Sequence, residues 1–340
     1  MFKAARVIFG ALVLCALGCR EESNSPARVA QSREVMGTLA CVTAIAPDET
    51  TARAAVEAAY ARLDDVNRLM SDYRADSEIG RLNALSAGES LIVSPETFYC
   101  LQRAAEIAEA SGGAFDATCR PLVELWKQAG RQNALPDEAT LAATRERVGW
   151  QKIGLDAATR RVIPMADGLQ IDLGGIAKGY ALDLAGEAIL ATGASAGLVD
   201  VGGDVRAVGE HTWTVGVRHP FAAGLIETLA LSSGSVATSG NQQRFYMIDG
   251  HRYSHIIDPR SGRPTEQAPS VTVIAPDGLT ADAWATVFSV LSAAEGQARA
   301  AELDGVEVLW IWGSAEQPQI AATEGFTRHW TGAATTQPSG

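Results

Sequence analysis

The chain has 340 residues, of which 47% are hydrophobic and 20% are charged, an ordinary composition for a globular protein. Its formal net charge of −12 at pH 7 argues against nucleic acid as a partner. The same charge does not exclude a phosphate ligand, because a bound divalent cation can dominate the charge of a site.

The first residues predict export from the cytoplasm. Lys3 and Arg6 give the chain a positive start, and Val7–Gly18 is an unbroken apolar run. This run is shorter than the roughly 20 apolar residues that a resident membrane helix needs. A positive start, a short apolar run and small residues after it are typical of a signal peptide.

The end of the apolar run resembles a bacterial lipobox. Its last residues are ALGC, with Ala16 where Leu is usual and Cys19 at the acylated position. We therefore predict a lipoprotein signal peptide over residues 1–18, an acyl anchor on Cys19 that binds the lipid bilayer, and a flexible tether over 19–33. The alternative is an ordinary secretory signal with an incidental cysteine.

The first half of the mature chain is predicted to be mainly helical. Frequent β-branched residues predict a strand at Glu34–Ile45. Apolar residues then recur at three- and four-residue steps, which predicts an amphipathic helix over Asp48–Met70. Further helices are predicted over Pro95–Ala110 with Ser94 as N-cap, in part of Ser111–Trp126 and over Pro136–Val148.

The second half is richer in strands. Two helices are predicted, Gly175–Ala191 and Ala281–Leu291, the second continuing into a later helix that ends at Leu303. Because helices and strands mix without strict alternation, we predict an α+β fold with largely antiparallel sheet. It forms one domain over 34–330, followed by a disordered tail over 331–340. The predicted strands lie near 161–164, 169–173, 197–202, 213–218, 226–231, 234–238, 252–257, 270–275 and 306–311.

The segment IDLGGIAKGYALD (Ile171–Asp183) has the general character of a phosphate-binding turn. Gly174 and Gly175 precede a predicted helix, whose start exposes backbone N–H groups that bind anions. Lys178 lies one turn further on, where it can meet a phosphate. The spacing matches neither a Walker A loop nor a dinucleotide-binding loop. The alternative is a simple turn in which Asp172 caps the helix and Lys178 is a solvated surface residue.

Asp282 and Thr286, in TADAWATVFSVL, are four residues apart and therefore share one face of the predicted helix. The neighbouring residues are Ala, Trp and Val, so this face is predicted to be buried. A buried carboxylate needs a charged partner or a metal, and a carboxylate with a hydroxyl and backbone carbonyls suits Mg²⁺. The alternative is that Asp282 caps the first turn and Thr286 bonds back to a helix carbonyl.

His255 lies in YSHIIDPRSGRP (Tyr253–Pro264), where a short strand ends in a turn marked by Asp-Pro and Ser-Gly. Histidine is the natural general base near neutral pH. The alternative is a hydrogen-bonded core histidine without a catalytic role.

Taken in chain order, several motifs resemble those of the FAD:protein FMN transferase family, the ApbE-like proteins. They are MGT, SDY, SEIGRLN, GGAFDAT, DLGGIAKGYALD, GGD, SVATSGN, SHIIDPRSGRP and ADAWAT. The resemblance covers nearly the whole mature domain and implies a T-fold-like domain with mostly antiparallel sheets. It implies an enzyme that, with Mg²⁺, attaches the FMN half of FAD through a phosphoester to a threonine of a target protein and releases AMP. It also implies that targets are subunits of membrane flavin-dependent redox complexes, and that the protein is anchored to the inner membrane facing the periplasm.

The same resemblance assigns roles to individual residues. His255 matches the base that activates the threonine, and Asp282 is a second catalytic residue. Gly175 (through its carbonyl), Asp282 and Thr286 match metal positions, with Ala285 nearby. The positions that match FAD-contacting residues are Met36, Tyr73, Ala114, Phe115, Asp116, Asp172, Lys178, His255, Ile256 and Ile257. Ala117 departs from the family pattern, which has proline there.

Two other functions remain open at this point. One is a Mg²⁺-dependent FAD pyrophosphatase, in which water replaces threonine and free FMN and AMP are released. The other is a lipid-anchored flavin-binding protein that does not consume FAD. The loop aromatic Phe115 fits either a stacking contact with a flat ring or a core anchor.

Overall fold

A computed structural model of the protein describes residues 25–240, 245–265 and 270–332. The helices are α1 (Glu49–Met70), α2 (Glu78–Leu82), α3 (Pro95–Ala110), α4 (Arg120–Gln132), α5 (Glu138–Arg145), α6 (Ala177–Ala191), α7 (Gly278–Val290), α8 (Ala293–Ala300) and α9 (Glu324–Thr327), with a 3₁₀ turn at Trp150–Lys152. The strands are β1 (Ala27–Val35), β2 (Thr38–Ala46), β3 (Leu91–Ile92), β4 (Ile153–Asp156), β5 (Arg161–Pro164), β6 (Ala196–Val201), β7 (Asp204–Gly209), β8 (Trp213–Arg218), β9 (Leu225–Leu231), β10 (Gly234–Gly240), β11 (Phe245–Ile248), β12 (His251–Ser254), β13 (Ile257–Asp258), β14 (Arg263–Pro264), β15 (Ser270–Ala275), β16 (Glu307–Gly313) and β17 (Pro318–Ala322).

A large antiparallel sheet forms the centre of the described fold, in the order β1-β2-β6-β7-β10-β15-β16-β17. Helices α1, α6 and α7 pack on one face of this sheet, and the hairpin β8–β9 and helix α9 pack on the other. A central strand such as β15 is therefore buried along its whole length. The predicted α+β fold with mostly antiparallel sheet is confirmed.

Two hydrophobic cores follow from this layering. The main core lies between the sheet and the helices and includes Leu63, Leu182 and Phe288. The second core lies under the hairpin β8–β9 and includes Trp213 and Phe326. A smaller cluster beneath α4, built around Trp126, Ile248 and Ile257, supports the segment that follows β12.

The N-terminal strand differs from the prediction. The segment predicted as one strand, Glu34–Ile45, belongs to a hairpin of β1 and β2, with Met36 and Gly37 in the left-handed region (φ 53° and 72°) at its turn. The strand begins at Ala27, so the prediction of a flexible tether is wrong for 27–33. Because β1 is an edge strand whose alternate residues face solvent, its composition is as polar as that of a linker. The predicted signal peptide, Cys19 and residues 333–340 of the predicted tail lie outside the described residues.

Local signals placed several helices correctly. Asp48 accepts a hydrogen bond from the Thr51 amide (2.8 Å) as the N-cap of α1, and Ser94 is the N-cap of α3. The predicted strand at 169–173 is wrong. There the Asn83 side chain binds both the amide and the carbonyl of Ile171 (2.6 and 2.8 Å), so this backbone is satisfied without a strand partner. Strands β3, β4, β7, β11, β14 and β17 are not among the predicted strands.

One end of the large sheet positions the site described below. The turns β1–β2 and β6–β7 lie side by side there, because the amide of Gly202 donates to the carbonyl of Leu39 (3.0 Å). Asp204 opens β7 at this end, and Thr238 lies near the end of β10 beside it. Within the described ranges, no helix combines the length and the apolar character needed to cross a membrane.

Candidate active site

Helices α6 and α7 meet at their first turns, and two glycines permit this contact. A Cβ atom added at Gly179 would overlap the carbonyl oxygen of Gly278, and one added at Gly278 would overlap the carbonyl of Gly179. The contact is therefore backbone against backbone. It brings the positive ends of two helix dipoles together, an arrangement that favours an anionic ligand.

Each of these helices supplies a carboxylate to the start of the other. Asp282 of α7 accepts a hydrogen bond from the Gly179 amide of α6 through Oδ2 (3.0 Å). Asp183 of α6 accepts from the amides of Gly278 and Leu279 of α7 (2.6 and 2.9 Å). First-turn amides have no acceptor within their own helix. This reciprocal capping therefore fixes the position of one helix against the other.

Lys178 lies between two buried carboxylates. Its Nζ forms an ion pair with Asp204 and lies 3.3 Å from Asp282 Oδ1, while 32% of its side chain remains exposed. Burial lowers the pKa of Lys178, but the two carboxylates raise it further, so its pKa lies above the usual value. Burial raises the pKa of Asp282 above its usual value, although Lys178 opposes this shift. Lys178 is thus part of a charge cluster. Asp277 is the N-cap of α7, so the alternative in which Asp282 caps its own helix is wrong.

The oxygen atoms expected to bind a metal lie beside this cluster. A Cβ atom added at Gly175 would lie 3.1 Å from Thr286 Oγ1, so the Gly175 backbone and this hydroxyl are neighbours. The same hydroxyl donates to the Asp282 carbonyl over 3.3 Å, which is the back-bonding that the alternative predicted. Ala285 is buried and offers only backbone atoms.

This donor set fits Mg²⁺ better than it fits a softer metal. Across the part of the chain that the structure describes, no group of three or more His, Cys, Asp or Glu residues is placed to hold a metal. A cation beside Asp282 would therefore rely on one carboxylate, one hydroxyl, a carbonyl and oxygens of a ligand. Mg²⁺ is commonly bound in this way, through one or two carboxylates together with substrate phosphates and water.

Phe115 anchors the loop that lines the other side of Gly175. Ala114 and Phe115 are 1% and 5% exposed and belong to the main core. A Cβ atom added at Gly175 would lie 3.2 Å from Phe115 Cε2, so the ring packs against the turn before α6. Gly113 in the same loop lies against the Arg260 side chain. The burial of Phe115 favours the core-anchor alternative over exposed stacking.

Asp116 and Asp172 both stabilise turns. The Asp116 carboxylate accepts from the amide and the hydroxyl of Thr118 (2.8 and 2.7 Å), and burial raises its pKa. Asp172 accepts from the Gly174 amide (2.7 Å), and its own amide donates to the Ala117 carbonyl (2.7 Å). These bonds join the two loops and place Asp172 at the turn before α6, which begins at Ala177, two residues later than predicted.

His255 follows directly after β12, one residue beyond the end of the strand. Its side chain is half-buried, whereas Ile256 and Ile257 are buried and belong to the main core and the small cluster beneath α4. The Ile256 amide donates to the Ser254 hydroxyl (3.0 Å), which fixes the backbone at His255.

The turn after His255 is attached to two helices. Trp126 Nε1 of α4 donates to the carbonyl of Gly262 (2.8 Å), and the Thr265 hydroxyl donates to the carbonyl of Ser289 on α7 (3.1 Å). The helix that carries Asp282 therefore also holds this segment. A cavity of about 340 Å³ lies here, lined by residues that include Trp126, Tyr253, Asp258, Arg263 and Thr265.

Met36 and Tyr73 are both more exposed than Ala114 and Phe115. Met36 is half-buried in the β1–β2 turn and packs on the main core. Tyr73 is 84% exposed, with the Arg120 guanidinium 6.0 Å from its ring centre. Arg120 is in turn held by an ion pair with Asp72. Of the two aromatic residues predicted to contact FAD, Tyr73 presents its ring to solvent.

Sequence reasoning missed three residues of this site. Asp204 belongs to the GGD motif, but nothing in local spacing indicates its pairing with Lys178, 26 residues away. No local sequence pattern indicates the contact of Gly179 with α7 either. Asp183 carried a usable signal, because a charged residue between two leucines in an apolar helix needs a buried partner.

The fold and the site together define a class of α+β proteins in which two helix N-termini meet beside a lysine and two buried carboxylates. The chain belongs to the ApbE family, whose family model matches residues 36–310.

Curated relatives of this chain carry the name FAD:protein FMN transferase. One from Treponema pallidum is 32% identical over 88% of this chain and 89% of its own length. One from Klebsiella pneumoniae is 33% identical over 72% of this chain and 77% of its own length. Among solved structures, the ApbE protein of Thermotoga maritima superposes with a TM-score of 0.80 at 31% identity, covering 89% of this chain and 99% of that one. The flavin transferase ApbE of Vibrio cholerae gives a TM-score of 0.78 at 29% identity, over 89% and 99% of the two chains.

Proposed function

We propose that this protein is an FAD:protein FMN transferase that moves the FMN part of FAD onto a threonine hydroxyl of an acceptor protein and releases AMP. Family membership supports the transfer of a flavin from FAD to a target protein. The observation that carries the proposal in this molecule is the meeting of two helix N-termini beside Lys178, Asp204 and Asp282.

This arrangement suits the pyrophosphate of FAD. The pyrophosphate carries two negative charges near neutral pH, which the two helix dipoles and a cation beside Asp282 would offset, with the Lys178 ammonium group as a further hydrogen-bond donor. Lys178 remains protonated because the neighbouring carboxylates raise its pKa. The exposed ring of Tyr73 is available to stack on a flat ring of the ligand.

The proposed reaction is a phosphoryl transfer. The threonine Oγ attacks the phosphorus on the riboflavin side, a new P–O bond forms, and the P–O bond to AMP breaks. AMP leaves with the electron pair, and His255 takes the proton of the threonine hydroxyl. Lys178 and the start of α6 stabilise the negative charge on the phosphoryl oxygens.

Asp282, the Thr286 hydroxyl and the Gly175 carbonyl would hold Mg²⁺, with Ala285 contributing no side-chain ligand. When bound, Mg²⁺ supplies neutralisation of the charge on the phosphoryl oxygens. Asp282 binds the Gly179 amide through Oδ2, so Oδ1 is the oxygen that faces the cluster and the cation position.

The proposal is tested with purified protein, FAD, MgCl₂ and a candidate acceptor subunit. After denaturation, covalent flavin fluorescence on the acceptor band is expected, with one AMP released for each flavin attached. AMP with free FMN and no covalent flavin would instead identify an FAD pyrophosphatase. Bound FAD that is not consumed would identify a flavin-binding protein.

Two substitutions test the assigned roles. Asp282→Ala is expected to abolish Mg²⁺-dependent transfer in a folded protein, and unchanged transfer would contradict the metal assignment. His255→Ala is expected to slow transfer far more than it weakens FAD binding, measured by the quenching of flavin fluorescence. An equal fall in both would make His255 a binding residue.

We also propose that the protein is exported and held on the inner membrane by acylation of Cys19, facing the periplasm. Its acceptor would then be a threonine-bearing subunit of a membrane flavin-dependent redox complex. The support is the lipobox-like sequence ALGC after a short apolar run. Labelling with radioactive palmitate in cells should be lost in Cys19→Ser, and retained labelling would contradict the proposal.

A further inference from the structure

The cluster at the start of α6 contains one ammonium group and two carboxylates. Lys178 forms its ion pair with Asp204 and its longer contact, 3.3 Å, with Asp282 Oδ1. Asp204 and Asp282 are almost fully buried, at 4% and 5% exposure. A buried carboxylate without a positive partner is strongly unfavourable, so Lys178 serves both acids when no other cation is present.

The two acids are held in place from different parts of the fold. Asp204 opens β7, and its Oδ1 accepts from the Thr238 amide of β10 (3.0 Å). Asp282 lies on α7, and its Oδ2 accepts from the Gly179 amide of α6 (3.0 Å). Each acid therefore has one oxygen fixed by a backbone amide and one that faces Lys178. Neither acid has to move when the ammonium group moves between them.

A divalent cation at Asp282 Oδ1 would compete directly with Lys178. The ammonium group contacts the same oxygen that faces the cation position, and two positive groups cannot share it without strong repulsion. Lys178 must then leave Asp282. The structure provides one destination that compensates its charge, the carboxylate of Asp204.

We propose that Asp204 is a positioning residue, the permanent counter-ion of Lys178, which keeps the ammonium group off Asp282 when a divalent cation binds there. This inference rests on the proposed function for the location of the cation at Asp282. It assigns no contact between Asp204 and the cation. Asp204 acts by holding Lys178, and through Lys178 it sets the affinity of Asp282 for the cation.

The test compares Mg²⁺ affinity in the purified full chain, in the absence of FAD, by isothermal titration calorimetry with MgCl₂. Asp204→Asn keeps an acceptor for the Thr238 amide but frees Lys178 to pair with Asp282, so Mg²⁺ binding should weaken by about tenfold or more. Lys178→Met removes the competitor and should tighten Mg²⁺ binding. The double variant should fall below Lys178→Met by a much smaller factor than Asp204→Asn falls below the original chain, because only the direct charge effect of Asp204 on Asp282 remains once Lys178 is absent.

The control is Asp200→Asn. Asp200 lies on β6, beside the same β6–β7 turn, and its carboxylate accepts from the Gly203 amide (2.9 Å). This variant loses the same single negative charge and measures the effect of net charge alone. Its Mg²⁺ affinity should stay within about threefold of the original protein. Melting temperatures in EDTA establish that each variant is folded.

Several results would overturn the inference. A double variant as weak as Asp204→Asn would make Asp204 a direct ligand of the cation. An unchanged affinity in Asp204→Asn, or in Lys178→Met, would show that Lys178 does not compete for Asp282. The comparison of Lys178→Met with the original chain remains informative even if Asp204→Asn fails to fold. Because the cation position also relies on ligand oxygens, an original chain that binds no Mg²⁺ without FAD is titrated again with FAD bound. If it binds no Mg²⁺ under either condition, both the inference and the proposed cation site fail, whereas binding that none of the variants alters overturns the inference alone.

Discussion

Gly179→Ala is expected to separate α6 from α7 and to slow transfer strongly. The added Cβ would overlap the Gly278 carbonyl oxygen and lie 2.8 Å from Asp282 Cβ, so the two helices must move apart by about 1 Å. That movement breaks the bond from the Gly179 amide to Asp282, now 3.0 Å long. It also displaces Asp282 relative to Lys178, the two groups on which the proposed chemistry depends.

The expected cost has three parts. Overpacking against backbone costs about 1–3 kcal/mol, and loss of a hydrogen bond to a charged group costs about 1.5–3 kcal/mol. The higher helix propensity of alanine offsets about 1 kcal/mol of this loss in the free energy of unfolding. We expect the free energy of unfolding of Gly179→Ala to fall by about 2–5 kcal/mol, and transfer to fall by about 100-fold, the cost of a displacement of about 1 Å at a reacting centre.

Gly186→Ala is the matched control, because Gly186 lies on the same helix. There the added Cβ meets side-chain atoms, Val208 Cγ1 at 2.8 Å and Arg206 Cγ at 3.4 Å, and these can shift. Urea unfolding and the covalent-flavin assay are measured for both variants. Gly186→Ala should lose some stability and keep transfer. The reasoning is refuted if both variants transfer equally once the folded fraction is taken into account.

Three further predictions concern the supports of the site. Asp183→Ala should raise the Mg²⁺ concentration needed for half-maximal transfer by about tenfold. The control Asp277→Ala removes the N-cap of α7 but no link to α6, so it should lower stability alone. Equal effects of the two substitutions on the Mg²⁺ requirement would contradict a positioning role for Asp183. Burial raises the pKa of Asp183 to about 6, above about 3.9 in the unfolded chain, so the native state binds more protons between these values and stability falls as pH rises from about 4 to 6. Urea unfolding across this range should show a flatter profile in Asp183→Asn, and an unchanged slope would show that Asp183 does not titrate there. Trp126→Phe removes the hydrogen bond to the Gly262 carbonyl and should lower the free energy of unfolding by about 1–3 kcal/mol. Transfer should also be slower, because the turn after His255 loses this support. Transfer at the original rate in a destabilised protein would contradict the role of this bond in positioning His255.

Local signals explain which elements could be predicted. Helix α1 has an apolar stripe along one face and an N-cap at Asp48, and helix α3 has Ser94 followed by proline. Both signals depend on residues within one or two turns, which a sequence displays directly. The start of β1 could not be predicted from its side chains. Its backbone hydrogen bonds to β2 hold it in the sheet, and its solvent-facing side chains can therefore be as polar as those of a linker. The segment around Ile171 was mistaken for a strand because it is apolar and buried, yet its hydrogen bonds go to the side chain of Asn83.

The residues of the site also divide into those that local sequence signals predict and those that they do not. That Asp282 and Thr286 share a helix face follows from spacing, and that Asp282 is buried follows from its apolar neighbours. Its partner Lys178 is 104 residues away in sequence, and no local pattern connects them. Family resemblance supplied the expectation that both act on one ligand, without assigning a role to Asp204 of the GGD motif. Residues that act on one another across the fold become visible only when the helices and the sheet are assembled.

The reciprocal caps explain how such a charged site stays ordered before any ligand binds. Asp282 and Asp183 would each carry a large desolvation cost if their buried carboxylates lacked donors. Asp282 instead accepts from one backbone amide and Asp183 from two, all at the start of the opposite helix, and those amides would otherwise lack partners themselves. The same bonds that stabilise the helix crossing therefore fix Asp282 opposite Lys178. Asp282 uses different oxygens for its two contacts, Oδ2 for the Gly179 amide and Oδ1 for Lys178. A ligand can therefore replace the Lys178 contact while the Gly179 contact keeps α6 and α7 in place.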